Sequence, residues 1–231
     1  MYDPGSLRAA MEGSDIALNL ATALSGGDFA ANDRLRREGA AIWLQACSDV
    51  GVPRVLQQSI AFMNAGGTDE WTDETYVHPS AEGISATSGA AEQMEAAVRA
   101  TALDWVILRG ASFYGPGTKS DDGWFERAKA GTLRLPGDGN AFISLIHIAD
   151  MASATVAAVE RWPSREVFIV ADDAPTRWSD LFGFVSAIVG AGAPEPGGPD
   201  RFRSMRLRNT KAREMLAWEP AYPDFRSGLV R

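Results

Sequence analysis

The stretch Asp15 to Ala21, DIALNLA, decides the fold. Its apolar side chains fall on both alternating faces, as in a parallel strand buried between two helix layers. Three further runs repeat the pattern: Arg54 to Phe62 (RVLQQSIAF), Asp104 to Arg109 (DWVILR) and Glu166 to Ala171 (EVFIVA). Between the first two lies Asn32 to Val50, an amphipathic helix that stops at Asp49-Val50-Gly51-Val52-Pro53, where Gly and Pro lead the chain into a strand. The second and third runs are separated by a polar loop, Ala65 to Ser88, and a helix, Gly89 to Thr101. Each strand-helix-strand unit has the roughly 30 residues or more that a right-handed parallel crossover needs. Upstream, Asp3 to Met11 predicts a helix capped by Asp3 or Ser6.

After Arg109 the pattern is less regular. FYGPGTKSDDG and LPGDGNAF carry turn residues, FISLIHI reads as a strand, and helices are expected from about Asp150 to Trp162 and from Ser179 to Val189. The expected class is α/β, a truncated Rossmann-like parallel sheet with helices on both faces. Residues 1–110 are expected to form an incomplete core, and 111–231 further core elements with a small substrate-side subdomain. Loops gathered after a strand end are where such sheets hold ligands.

Composition narrows the function. The 231 residues include 45% hydrophobic and 23% charged side chains, which is globular and excludes disorder or coiled coil. With 22 Lys+Arg against 30 Asp+Glu the net charge is -8, so no nucleic-acid or anionic-lipid partner is expected. No apolar run approaches the ~20 residues that span a bilayer, and MYDPGSLRAA is not a signal peptide. A lone cysteine, Cys47, forbids an internal disulfide and fits a reducing cytoplasm. His78 and His147 lie outside any HExxH spacing, so no metal is expected. Gln57-Gln58-Ser59-Ile60-Ala61 lacks both glycines of a hydrolase elbow. The acid pairs Asp121-Asp122 and Asp172-Asp173 read as solvated loops.

Five segments in order, DPGSLRAAMEGSDIALNLAT, GVPRVLQQSIAF, DWVILRGASFYGPGT, LPGDGNAFISLIHIADMASAT and KAREMLAWEPAYPDF, resemble the NAD-dependent epimerase/dehydratase family of extended short-chain dehydrogenases/reductases. The resemblance implies NAD or NADP as cofactor and a nucleotide sugar or other small hydroxylated or carbonyl substrate. It places Ser59 on the catalytic serine or threonine, and Asp3 and Asn32 on cofactor-side positions; Asp3 reads first as a helix N-cap, and capping explains Asn32 equally well. Arg109, Ser112, Tyr114 and His147 fall on the substrate side, with Tyr114 a candidate catalytic group. Asp150 matches an aspartate that caps the next helix.

Two departures qualify the resemblance. The GxxGxxG turn whose amides hold a dinucleotide pyrophosphate is not in this sequence, which reads as the family fold entered near the end of its third strand. The YxxxK pair is also missing: with Glu92 aligned to the family's glutamate, the lysine position falls on Ser88 and the tyrosine position on Ile84. Neither residue can exchange a proton with substrate. Three expectations follow: a reading frame that starts late, a cofactor-independent isomerase, lyase or cyclase on a reused fold, or a non-enzymatic remnant. A strand with one encoded neighbour predicts a homodimer through the edge from Asp15 to Ala21.

Overall fold

The apolar runs form the strands that the sequence predicts, and the computed structural model describes residues 1–23, 28–76, 86–199 and 203–229. Helix α1 (Pro4–Met11) starts on Asp3, whose carboxylate accepts from the Gly5 N–H at 2.9 Å and the Ser6 hydroxyl at 2.7 Å. Strand β1 (Ile16–Asn19) follows, then α2 (Phe29–Arg34), capped by Asp28. A wider π turn, Leu35–Gly39, joins α2 to α3 (Ala40–Asp49), within what the sequence predicts as one regular helix. Gly51, at φ +74°, turns the chain toward β2 (Arg54–Ile60), with α4 (Ala86–Ala100) and β3 (Asp104–Gly110) next.

Beyond these come β4 (Ser112–Tyr114), α5 (Ser120–Lys129), β5 (Arg134–Pro136), β6 (Phe142–Ile143), β7 (Leu145–His147) and α6 (Ile148–Arg161). The chain ends through β8 (Glu166–Val170), β9 (Thr176–Arg177), α7 (Trp178–Ile188), β10 (Glu195–Gly198), α8 (Thr210–Leu216) and α9 (Phe225–Gly228).

The parallel sheet has the order β1-β2-β3-β8. Ile16 stands opposite Arg54 and Asn19 opposite Gln57. Among the described residues β1 has one neighbour, so it forms the sheet edge. It was expected to be covered on both faces. Instead Ala17 and Asn19 are buried while Leu18 is exposed, because no described element covers that side of the edge.

Two compact units are distinguished. The first comprises Met1–Met63, His78–Arg109 and Thr155–Phe168. Its core sets Trp43, Leu44 and Cys47 of α3 against Val55 of β2, Val98 of α4 and Ile107 of β3. Each large apolar side chain buried this way contributes about 1.5–3 kcal/mol. Burial pushes the Cys47 thiol up to about 11, so it stays protonated and unreactive at neutral pH.

The second comprises Asn64–Val77, Gly110–Ala154 and Ile169–Arg231. There β4 and β7 run parallel, with Tyr114 opposite His147, and β6 pairs antiparallel with β9. Trp124 of α5 meets Phe182 of α7 at 5.9 Å between ring centroids. Helix α5 lies where Asp121-Asp122 and Gly123 suggested a loop; the two acids sit in its first turn, where the helix N-terminus favours negative charge. The acid pairs are not simply solvated: Asp121 and Asp172 are buried, and only Asp122 and Asp173 face solvent.

Candidate active site at the carboxyl edge of the sheet

In the first unit, Ser59 stands at the carboxyl end of β2, 2% exposed, and its hydroxyl has no hydrogen-bond partner among the described residues. A buried hydroxyl in that state costs about 1–3 kcal/mol, so native structures keep few of them without a reason. On the neighbouring strand the Asn19 amide donates to Gln57 Oε1 at 2.9 Å, a buried pair fixed by the β1–β2 register. The Ala21 N–H in turn donates to Asn19 Oδ1 at 3.3 Å.

Asn32, in α2, ties that helix to the loop leaving β1. Its Oδ1 accepts from the Thr22 hydroxyl at 3.1 Å and the Ala23 N–H at 3.2 Å, while its buried Nδ2 has no partner among the described residues. The carboxyl ends of β1 and β2 therefore present amides and a hydroxyl, with one hydroxyl and one N–H donor unmet.

The residues expected near this edge divide. Ser88 is buried in α4, and Ile84, His78 and Gly26-Gly27 lie outside the described residues. Arg109 is held by Glu95: its Nε donates to Oε1 at 2.9 Å and its Nη2 to Oε2 at 2.7 Å, a fork that Arg99 joins at 2.8 Å. Asp3 caps α1 with both carboxylate oxygens.

The second unit holds Ser112, Tyr114 and His147. The Ser112 N–H donates to the Ser144 carbonyl at 3.1 Å. The Tyr114 ring is wholly buried and its hydroxyl donates to the Asp224 carbonyl at 3.3 Å. Burial raises the phenol's pKa, and the acids Asp172, Asp150 and Asp224 push the same way. The His147 ring meets Tyr114 edge-on at 5.2 Å and Tyr222 at 3.9 Å, and its Nδ1 accepts from the Ala149 N–H at 3.3 Å. Burial lowers the imidazole's pKa, which favours the neutral ring, against the opposing charges of Asp150 and Asp121. Gly115, at φ +101°, lies so close that a Cβ there would come within 2.5 Å of His147 Nε2.

Asp150 accepts from the Ala221 and Tyr222 N–H groups at 2.8 and 2.9 Å. Asp172 is 1% exposed, and neither carboxylate oxygen reaches a donor at hydrogen-bond geometry among the described residues; the Ala174 N–H only approaches it. Burial pushes this carboxyl well above the ordinary 3.8, helped by Asp173, Asp224 and Asp150.

Asn19, Gln57, Glu95 and Asp172 were not anticipated as site or cluster residues. Three of them carried a signal in the sequence: Asn19 and Gln57 are polar residues inside otherwise apolar strands, and Glu95 precedes Arg99 by one helical turn. Among all these groups, the unmet Ser59 hydroxyl and Asn32 amide fit a cofactor rich in hydroxyl and carboxamide groups, and they lie where parallel sheets bind dinucleotides.

A family model described as NAD(P)H-binding matches residues 1–161. The chain is 34% identical over 221 residues to a 3-diazoavenalumate denitrifying reductase of a Streptomyces species, covering 88% of this chain and 72% of that protein. Its fold is similar to UDP-glucose 4-epimerase of Thermotoga maritima, with a TM-score of 0.82 at 24% identity over 98% of this chain and 79% of the other. It is also similar to a dTDP-glucose 4,6-dehydratase of Streptomyces venezuelae solved with NAD, with a TM-score of 0.85 at 22% identity over 99% and 74% of the two chains. No described helix is long and apolar enough to cross a membrane. With its parallel sheet, the unmet polar atoms at that sheet's carboxyl edge and the match over residues 1–161, the chain belongs to the NAD(P)H-binding family, on the Rossmann-like fold of NAD-dependent epimerase/dehydratase-type enzymes.

Proposed function

We propose that this protein is an NAD(P)H-dependent reductase whose acceptor is electrophilic enough to need no proton from the enzyme. The observation that supports this reading is the kind of group at the carboxyl edge: Ser59 and Asn32 offer a hydroxyl and an amide without partners among the described residues, and the resemblance puts a lysine where this chain has Ser88, buried in α4. These groups can donate hydrogen bonds and orient a ligand. They cannot cycle a proton near neutral pH.

The cofactor, when bound, supplies a hydride. A carbonyl acceptor also needs a proton on oxygen, and a serine hydroxyl with no base behind it among the described residues delivers one poorly. A diazonium carbon needs none: R–N2+ plus hydride gives R–H plus N2, with atoms and charge balanced. The relative at 34% identity is named as a reductase that denitrifies a diazo compound, which supports an acceptor of this kind. Ser59 would hold the cofactor or acceptor in place, and Asn32 would meet a polar group of the cofactor through its free Nδ2.

The test is a calorimetric titration with NADH and NADPH, followed by turnover of an aryl diazonium salt with deuterium-labelled cofactor and an enzyme-free control. Saturable binding, release of N2 and deuterium in the arene above the control are expected. A chain that is folded yet binds neither cofactor, or that reduces only carbonyl substrates, overturns the reading.

A further inference from the structure

In the first unit, the open side of β1 carries a pattern that matches itself. Among the described residues β1 pairs only with β2, in parallel, from Ile16 opposite Arg54 to Asn19 opposite Gln57. Its other side therefore presents main-chain N–H and C=O groups with no strand beside them, a ready template for another chain. Side chains alternate along the strand, so Ile16 and Leu18 share one face, and Leu20, one residue past β1, continues it. Leu18 and Leu20 are 45% and 43% exposed, against 6% for both Ala17 and Asn19 on the opposite face. A groove opens along the same edge between β1 and α1, lined by Met1, Leu7, Met11, Leu18, Leu20 and Trp43. Large apolar side chains gathered in the open at a sheet edge mark an interaction surface.

Charge and register say what covers it. No residue from Ile16 to Ala23 is charged, although the chain as a whole carries -8. The one charged side chain within α1, Arg8, is tied to Asp49 at 3.1 Å. A strongly charged partner strand finds no complement here, whereas two copies of an acidic chain can meet without opposing like charges. The apolar residues are also symmetric about Leu18. In an antiparallel pair with a two-fold axis through that residue, Leu18 stands across from the partner's Leu18, and Ile16 across from the partner's Leu20. On the other face Ala17 stands across from the partner's Asn19. Asp15 then falls opposite the partner's Ala21, not opposite another acid. Every pair on the open face is apolar, which is the kind of cross-strand contact that stabilises a sheet. Such a contact uses the same patch on both copies and closes, leaving no β1 edge to recruit a third.

We propose that two copies of this chain pair antiparallel through β1, with Leu18 on the two-fold axis, so that their four-stranded sheets become one continuous sheet. The pairing covers Leu18 and Leu20 and gives the open main-chain groups partners. It invokes neither Ser59 nor Asn32, so it stands or falls apart from the reductase reading.

Sedimentation equilibrium of the full chain across micromolar concentrations reads the mass, and twice 24.7 kDa is expected at the upper end. Leu18→Lys and Leu18→Glu each set like charges face to face on the axis and should weaken the dimer about a hundredfold or more. Mixed in equal amounts, the two variants place opposite charges there and should pair again, within about tenfold of the parent's affinity. Near-UV circular dichroism checks the fold, which an exposed side chain such as Leu18 leaves intact. Leu20→Glu, beyond the strand, is a second variant that touches no rung of the β1–β2 ladder and should weaken the dimer about tenfold. A parent that stays monomeric overturns the proposal, as does a mass beyond the dimer or a dimer that all three variants leave intact. Leu18 variants that are monomeric alone and fail to pair when mixed overturn it as well, because the axis then lies elsewhere.

Discussion

The carboxyl edge of the four-stranded sheet and the acid-rich interior beside the C-terminal segment both hold buried polar atoms without partners among the described residues, but only the second set can change its charge. Ser59 Oγ and Asn32 Nδ2 stay neutral at any working pH and have no partner among the described residues, so a bound molecule would satisfy them. Asp172 has a third route: it can take up a proton. Unmet neutral atoms at a strand end point outward to a ligand. An unmet carboxyl among other acids points to stability that varies with pH.

The largest effect is expected at the ion pair between Arg109 and Glu95. Glu95→Gln removes the charge facing a mostly buried guanidinium and should cost about 3 kcal/mol or more, because the arginine stays buried without its counter-charge. Urea unfolding would read this as a lower midpoint at constant slope. Losing only Arg99, on the more exposed arm of the same carboxylate, should cost about 0.5 kcal/mol. An unchanged midpoint together with weakened ligand binding would return Arg109 to the substrate site and break the comparison.

Asp172→Asn comes next, and its sign follows from linkage. The folded state raises this carboxyl above its ordinary 3.8, so between the unfolded and folded values the native protein binds more protons than the unfolded chain. Its contribution is complete below about pH 4 and is lost as pH rises through the folded value. The asparagine variant should therefore match the parent near pH 4 and exceed it at pH 8 by about 1–3 kcal/mol, the range for an unsatisfied buried group. Thermal unfolding across that range tests it. Parallel pH profiles for the two proteins would mean that Asp172 has a partner, and the contrast between the two regions would fail.

Much of the first unit was legible because period and punctuation agree there. DIALNLA, RVLQQSIAF and DWVILR become β1, β2 and β3 within one or two residues, each bounded by the glycine, proline or polar residues that stop a strand. The Ser59 position was legible as a strand end, while its missing partner was not, since orphaning is a property of the surroundings. Helix α5 was hidden because Gly123 and two adjacent acids read locally as a loop, although tertiary contact with α7 makes them helical. Asp172 was hidden for the same reason: an acid pair looks solvated until the chain folds over one of its members. The stack of Arg206 and Arg208 on Trp71, and of Arg206 and Arg177 on Phe142, draws on four separate stretches of chain that no local period connects.

The smallest stability effect, and the sharpest test of the first region, is Ser59→Ala. Removing a buried hydroxyl that has no partner takes away an unmet group and leaves only a small void. Stability should hold within about 0.5 kcal/mol of the parent or rise slightly. If the same hydroxyl meets cofactor or acceptor, kcat/KM for diazonium reduction should fall about tenfold or more, since a hydrogen bond lost in the transition state appears there and not in the unfolding midpoint. The two readouts move apart only if the partner comes from outside the chain. A variant that loses stability and activity together would place the partner of Ser59 within the protein, and both regions would then be explained by folding alone.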